Sequence, residues 1–166
     1  MTSVHTQMRQ LVDWRAATRA GLLCGILVFI LSLILSAILL TSPWFYARLV
    51  ASLVLGSKVL LEPTSFNLGV MCLGLLVHMI GALLISYLIA IIVHQYGILI
   101  SLVGGAVIGL AVYGISFFAL TRFFPWLVPF RSWIFLVEFV FYGALAGGVY
   151  EMLEVEVFVS EGSKQI

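Results

Sequence analysis

The chain contains a long apolar run at residues 67–94, NLGVMCLGLLVHMIGALLISYLIAIIVH, with one histidine, His78, near its middle. A helix needs about 20 apolar residues, at a rise of about 1.5 Å each, to cross the hydrocarbon core of a bilayer. Three further runs of similar character occur along the chain. Because lipid offers no hydrogen-bond partner to the backbone, such runs must be helices. The sequence therefore predicts an all-α, polytopic integral membrane protein that folds as a four-helix bundle.

The composition excludes an ordinary water-soluble domain. Of the 166 residues, 63% are hydrophobic and 9% are charged, whereas soluble domains contain about 25% charged residues. The net charge is +1, and no acidic or basic block is present. We therefore expect no nucleic-acid partner; the expected partners are membrane lipids and other integral membrane subunits.

The predicted organisation is a single membrane domain with short connections. Its parts are a polar N-terminal segment (1–19), four spans (20–41, 66–93, 98–120 and 133–153), an interfacial or re-entrant segment (43–65) and a C-terminal tail (154–166). The stretch LVDWRAATRAG is compatible with an amphipathic helix on the membrane surface. The tail is compatible with a short strand or an extended chain. No cleavable signal peptide is expected.

The segment after the first span is too short for an ordinary span and carries Arg48 and Lys58. We expect it to end at Glu62-Pro63, and a genuine fifth span stays open as an alternative. Four spans put both termini on one side of the membrane. The basic residues divide evenly between the sides: Arg9, Arg15, Arg19 and Lys164 against Arg48, Lys58, Arg122 and Arg131. Because arginines ahead of the first span weigh most, we expect both termini in the cytoplasm.

Small residues and tryptophans follow the pattern of packed membrane helices. Glycines at four-residue spacing predict close helix contacts at Gly21 and Gly25, Gly105 and Gly109, and Gly143 and Gly147. The four tryptophans flank apolar runs and are predicted interfacial anchors: Trp14, Trp44, Trp126 and Trp133. Cys24 and Cys72 lie near opposite ends of successive spans, too far apart in depth for a disulfide.

Two ionisable residues inside the spans are the candidates for chemistry. His78 and Glu138 are counted from the same side of the membrane, and their depths differ by less than about 10 Å. Tyr142 lies one turn from Glu138 and can join the pair. One interpretation is a proton-titrating pair or a polar solute site. The other is an interhelical hydrogen bond that fixes packing, worth about 0.6 to 2 kcal/mol. A lone ionised carboxylate in lipid is costly, so Glu138 must protonate or pair.

No pattern of a known catalytic or metal site is present. The chain has no Ser-His-Asp set, Cys-x-x-Cys, His-Glu-x-x-His or phosphate loop. His78 and His94 fall on one predicted helix about 24 Å apart, so they cannot bind the same metal ion. A metal or haem would need ligands from another chain. We therefore expect a non-enzyme without a cofactor or a metal.

Spans two to four carry a recognisable set of residues: His78 with Gly81, glycines within residues 104–109, Pro125-Trp126, and Phe141-Tyr142-Gly143 followed by Gly147 and Tyr150. The set resembles small four-helix bacterial inner-membrane proteins of uncharacterised function and covers about half of the chain. The resemblance implies the architecture and a bacterial inner membrane, but no activity. A histidine often precedes the last-span Phe-Gly in that group, whereas this chain has Glu138.

The expected function is a non-catalytic accessory or structural subunit of a larger membrane complex, such as a bacterial respiratory or other energy-converting assembly. The alternative is a small homo-oligomeric protein that transports protons or a solute through His78 and Glu138. An assembly factor or a lipid-binding protein fits the interfacial aromatic residues equally well.

Overall fold

The computed structural model describes residues 8–40, 42–61, 65–155 and 157–160. The helices in these ranges are α1 (Trp14–Leu39), α2 (Phe45–Leu55), α3 (Lys58–Leu61), α4 (Leu68–Val93), α5 (Ile98–Gly114) and α6 (Trp133–Leu153). Four helical stretches are long and apolar enough to cross a membrane: Trp14–Leu39, Leu68–Val93, Ile98–Arg122 and Trp133–Leu153. The predicted class, a polytopic membrane protein with four spanning helices and a shorter apolar helix after the first, is confirmed.

The first helix begins at Trp14, six residues before the predicted start of the first span at Ala20. Asp13 caps it, because its carboxylate accepts hydrogen bonds from the backbone N–H groups of Arg15 and Ala16, at 2.9 and 3.0 Å. The proposed surface helix and the first span are therefore one continuous helix. Residues 1–7 of the N-terminal segment lie outside the described residues.

The segment that follows α1 forms two short helices, α2 and α3, separated by Gly56 with a positive φ of 80°. With 11 residues, α2 is shorter than a span. It packs across α4 at Gly74, where a Cβ would overlap the backbone carbonyl of Ala47. The buried Arg48 donates to the carbonyl oxygens of Val59 and Ser65, both at 2.9 Å, and so ties α2 to the chain beyond it. The predicted end at Glu62-Pro63 lies outside the described residues.

The two helices α5 and α6 touch through their backbones. A Cβ on Gly105 would overlap the carbonyl oxygen of Gly143, and a Cβ on Gly143 would overlap that of Gly105. Gly109 meets the backbone of Phe139 and Gly147 that of Ser101 in the same way. On the other side of the bundle, Gly21 faces Ser86 and Gly25 faces Ala82, which brings α1 close to α4. The glycines at four-residue spacing therefore make helix–helix contacts within this chain.

The third span ends in an irregular way. After α5 the helix continues through a π-helical turn (Ile115–Ala119) and a 3₁₀ turn (Leu120–Arg122). Arg131 donates from Nε and Nη2 to the carbonyl oxygen of Phe117, at 3.0 and 2.7 Å, and its guanidinium lies 4.1 Å above the ring of Phe118. A π-helical turn changes the hydrogen-bonding pattern of the helix, so a backbone carbonyl oxygen can accept from a side chain such as Arg131. The following loop forms a 3₁₀ helix (Pro125–Phe130) and is ordered.

The two ends of the chain meet at one end of the bundle. Strand β1 (Met8–Gln10) pairs antiparallel with strand β2 (Phe158–Ser160), so the extended tail contains a strand. The backbone N–H of Val155 donates to the Asp13 carboxylate at 3.3 Å, and the backbone N–H of Asp13 donates to the Tyr150 hydroxyl at 3.4 Å. The strands β1 and β2 therefore lie on the same side of the four spans.

Replacing Gly143 by valine should separate α5 from α6, because the added side chain meets backbone atoms of Gly105 that cannot move aside. We expect Gly143→Val to lower the free energy of unfolding by about 1–3 kcal/mol or more. Thermal unfolding in detergent measures the effect. Gly81→Ala is the matched control, because no atom lies within 4 Å of the added carbon; equal melting temperatures for the two variants would contradict the backbone contact.

The Asp13 cap should give the protein a pH-dependent stability on the acid side. The hydrogen bond from the Ala16 N–H lowers the pKa of Asp13 below its ordinary value. A carboxyl with a lower pKa when folded stabilises the protein above its unfolded pKa and loses this contribution as the pH falls through the folded pKa. Asp13→Ala should cost about 0.5–2 kcal/mol at neutral pH, whereas Asp13→Asn should retain most of the cap. Thermal unfolding from acidic to neutral pH should show a flatter profile for both variants; an unchanged profile would contradict the assignment.

Candidate functional site

Two hydrogen-bonded pairs of polar side chains link four helices in the interior. Ser32 on α1 is hydrogen-bonded to Oε1 of Glu138 on α6, and both side chains are buried. The hydroxyl of Tyr46 on α2 lies 2.9 Å from Nδ1 of His78 on α4, in a partly buried contact. Nε2 of His78 lies 3.0 Å from the carbonyl oxygen of Gly25, back on α1. Both pairs are therefore fastened to α1.

The fold brings these groups to a common depth. Glu138 is five residues from the start of α6, which corresponds to about 7.5 Å along the helix axis. The rings of Phe29 and Tyr46 enclose the imidazole of His78, with centroids at 5.2 and 5.8 Å. Tyr46 reaches this level because α2 packs on α4 at Gly74 and not at the end of that helix.

The predicted pair is not brought into direct contact. Among the described residues, His78 and Glu138 share no hydrogen bond; Glu138 is bonded to Ser32, and His78 is bonded to Tyr46. Tyr142, expected to join Glu138, instead donates to the carbonyl oxygen of Ala82 at 2.6 Å and fixes α6 to α4. Ser32 and Tyr46 were not predicted from the sequence as residues of this site. For Ser32, the sequence did contain a signal: its hydroxyl lies inside the first span at the depth of Glu138.

The hydrogen-bond partners determine where the protons lie. A carbonyl oxygen only accepts, so Nε2 of His78 carries the hydrogen that points to Gly25. In a neutral imidazole Nδ1 then accepts from the Tyr46 hydroxyl. Ser32 has a single hydroxyl hydrogen, and the Val28 carbonyl oxygen is 2.8 Å away as an acceptor. When Ser32 donates to Val28, its bond with Glu138 requires a protonated carboxyl as the donor. Both pairs are then satisfied without a charge.

The two pairs are separate hydrogen-bonded units. Among the described residues no hydrogen bond joins the Ser32 hydroxyl to the Tyr46 hydroxyl, so the Glu138 proton can be shared with Ser32 but has no bonded path to His78. The Tyr46 proton is shared with Nδ1 of His78 alone. The arrangement brings an acid and an imidazole to a similar depth without connecting them.

Other interior polar groups fasten pairs of helices. Ser86 donates to the carbonyl of Ala17 at 2.7 Å, and Ser101 donates to Glu151 at 3.0 Å. In the described part of the chain, every fully buried side-chain nitrogen or oxygen has a partner. The same residues contain no group of three His, Cys, Asp or Glu side chains that could hold a metal ion. Cys24 is buried, Cys72 is exposed, and both are free thiols.

The tryptophans lie at both ends of the bundle. Trp14 starts α1, is 53% exposed, and meets the ring of Tyr87 edge to face at 5.9 Å. Near the opposite end, Trp44 packs on the Phe66 ring at 4.9 Å, and the Nε1 of Trp126 donates to the hydroxyl oxygen of Ser52 at 3.1 Å. Trp133 starts α6 and is 74% exposed. The geometry puts each of them near a helix end.

Removing the Tyr46 hydroxyl should disturb its pair with His78. Tyr46→Phe leaves Nδ1 of His78 without a donor, which should lower the free energy of unfolding by about 1–3 kcal/mol. Thermal unfolding in detergent measures this effect, and the ring signals of His78 in nuclear magnetic resonance spectra should shift as well. Tyr113→Phe is the matched control, because it removes a hydroxyl bonded to the Ser132 carbonyl and should leave the His78 signals in place. Identical His78 signals in Tyr46→Phe and the unaltered protein would contradict the contact.

The chain was compared with protein-family models, with curated proteins and with solved structures. None of the three comparisons finds a match. What the site does must therefore be argued from its own geometry.

Proposed function

We propose that the chain is a non-catalytic accessory subunit of a larger membrane assembly. The observation that carries the proposal is the closed interior: each fully buried polar side-chain atom of the described residues is already paired within the chain. The remaining surface is mostly apolar. Only 28% of the most apolar part of the second and third spans is buried within the chain. Interaction with lipid and with other membrane subunits through these outer faces is the role that such a surface supports.

One outer face of α4 has the shape of a helix-docking surface. Leu84 and Leu88 are 64% and 43% exposed, and Gly81 lies on the same face by helical spacing. Apart from the adjacent residues and the backbone of α4 itself, no atom of the described residues lies within 4 Å of the position that a Cβ on Gly81 would occupy. A glycine inside a helix has a lower propensity than alanine, by about 1 kcal/mol. The open space beside Gly81 therefore does not stabilise the isolated chain, but it would let a helix of another subunit approach closely.

The proposed location is a bacterial inner membrane with both termini in the cytoplasm. The support is the resemblance of spans two to four to small bacterial inner-membrane proteins, together with the arginines ahead of and within the first turns of α1. The proposed assembly is a respiratory or other energy-converting complex, with membrane lipids as the second class of partner and no nucleic acid.

Gly81→Leu should weaken the assembly without weakening the chain. The added side chain enters open space in the isolated protein, so the melting temperature of the purified chain should not fall. The same side chain would displace a helix docked on this face. We expect the tagged protein, extracted from native membranes in mild detergent, to carry stoichiometric larger membrane proteins, and the variant to carry several-fold less. Mass spectrometry of the intact assembly measures both.

Leu110→Met is the control, because it keeps the volume of an exposed side chain on α5. A chain that purifies alone, or only with copies of itself, contradicts the accessory role.

A second candidate function is proton transfer by a homo-oligomer, and the observation that favours it is that Glu138 and His78 lie inside the spans, each hydrogen-bonded to a hydroxyl. It would require polar groups from another copy of the chain to join the two pairs into one route. Purification of the protein alone, followed by proton flux in vesicles that is lost in Glu138→Gln, would favour this candidate over the accessory role.

A further inference from the structure

Two arginines lie on one exposed face of α1, within its first two turns. Arg15 and Arg19 are both exposed, and their spacing of four residues places them on the same side of the helix, with Cβ atoms about 5–6 Å apart. Every Cα–Cβ bond of a helix is tilted toward the N-terminus of that helix. Because the N-terminus of α1 is also the end of a span, both side chains extend toward the membrane surface. We call these two residues the arginine pair.

The guanidinium groups of the arginine pair are not used within the described part of the chain. Among those residues, neither group donates a hydrogen bond. The Asp13 carboxylate is close enough to act on Arg15 through its charge. Its oxygens, however, accept from the backbone N–H groups of Arg15, Ala16 and Val155. The donors of two positively charged groups are therefore open to an anion from outside the chain.

The level of the arginine pair is the boundary between lipid and water. Trp14 begins α1 and is 53% exposed, and tryptophan is enriched at the headgroup level of membranes. Its ring meets the ring of Tyr87 edge to face, and the Tyr87 hydroxyl lies 3.0 Å from that of Thr18. These contacts fix the start of α1 against α4. The arginine pair is thus held at a defined height beside the headgroups.

The face that carries the arginine pair continues into the apolar part of the span. Leu23, Ile26 and Ile30 follow Arg19 at spacings of four, three and four residues, which keeps them on the same side of α1. Their side chains are 60%, 48% and 49% exposed. A headgroup bound by the arginine pair would therefore have its acyl chain beside an apolar surface of the same helix.

The other basic side chains that the structure describes do not repeat this arrangement. Arg48 and Arg131 are bonded to backbone carbonyl oxygens within the chain. Lys58 and Arg122 are exposed, but they belong to different segments and no helical spacing joins them. The arginine pair is therefore the feature in which one helix face presents two open guanidinium groups.

We propose that the arginine pair binds the phosphate of an anionic phospholipid, with an acyl chain of the same lipid along the exposed apolar face of α1. A guanidinium presents a planar set of donors that matches phosphate oxygens. A zwitterionic headgroup has the same phosphate, but its own ammonium group offsets the charge, so a lipid without a headgroup cation fits better. The inference rests on the membrane-lipid partner proposed above, and it does not depend on the accessory role.

The test is native mass spectrometry of the full-length protein in mild detergent, titrated with dioleoylphosphatidylglycerol or dioleoylphosphatidylcholine. The unaltered protein should bind the first lipid at a saturable site, at least several-fold more tightly than the second. Replacing both residues of the pair, Arg15→Gln with Arg19→Gln, should weaken phosphatidylglycerol binding about tenfold or more, because both charges near the membrane surface are lost. Both side chains are exposed, so this variant should fold.

Lys58→Gln with Arg122→Gln is the matched control, because it removes the same total charge from exposed positions outside the pair. It should keep the preference for phosphatidylglycerol. A competition with soluble glycerol phosphate needs no variant. At the same concentration it should not displace the bound lipid, because it has no acyl chain for the apolar face of α1. This competition and the comparison of the two lipids decide the proposal even if the pair variant fails to fold.

Equal affinity of the unaltered protein for the two lipids would overturn the proposal. So would equal weakening in the two double variants, which would show an effect of net charge alone, or unchanged selectivity in the pair variant. Displacement of the lipid by glycerol phosphate would also overturn it, because it would indicate a site for free phosphate. The accessory role is tested separately by Gly81→Leu, so the two proposals fail independently.

Discussion

Water is absent from the hydrocarbon core of a bilayer, so a polar side chain placed there must find its partner inside the protein. In this chain the partner is often a backbone carbonyl on another helix. Ser86 on α4 bonds to α1 at Ala17, and Tyr142 on α6 bonds to α4 at Ala82. Each such bond contributes about 0.6 kcal/mol on average in membrane proteins. Their main effect is on geometry, because only one rotation and one height of each helix satisfy all of them.

Close backbone contact provides the complementary constraint. The free energy of an apolar side chain is nearly the same in lipid as in a protein interior, so burying such side chains does little to hold membrane helices together. The approach of Gly105 to Gly143 brings the backbones of α5 and α6 into direct contact and gains dispersion energy over the length of the pair. The glycine contacts therefore hold α5 on α6, and the polar bonds orient α1 and α4 against them.

The four spans could be predicted because the length of an apolar run is a property of the sequence alone. The helix α1 begins at Trp14, ahead of the apolar run that predicts the first span, and Asp13 before a helical stretch is a recognised cap signal for that start. The similar depth of His78 and Glu138 followed from counting residues. The bond between Glu138 and Ser32 did not, because a helix that is apolar on nearly all sides carries no periodic signal of its rotation.

Tyr46 could not be assigned for a different reason. It belongs to a segment whose depth in the membrane is set by where it packs and not by its length. The close approach of Ala47 to Gly74 sets that depth, and Arg48 holds the segment there through carbonyls further along the chain. A short apolar helix with an arginine is equally compatible with the membrane surface, so the sequence left this choice open. The segment that was hardest to predict supplies the hydroxyl that is bonded to His78.

The identity of Glu138 bears on what the interior is for. A hydrogen bond to Ser32 needs a single acceptor, and an asparagine or serine on α6 would supply it at a lower cost of desolvation than a group able to carry a charge. A carboxyl adds a second oxygen and a proton that can be transferred. Here Oε1 is bonded to Ser32, whose hydroxyl also has the Val28 carbonyl as an acceptor. Because Ser32 has one hydrogen to give, the proton of a neutral carboxyl completes this contact, and no charge has to be placed at this depth.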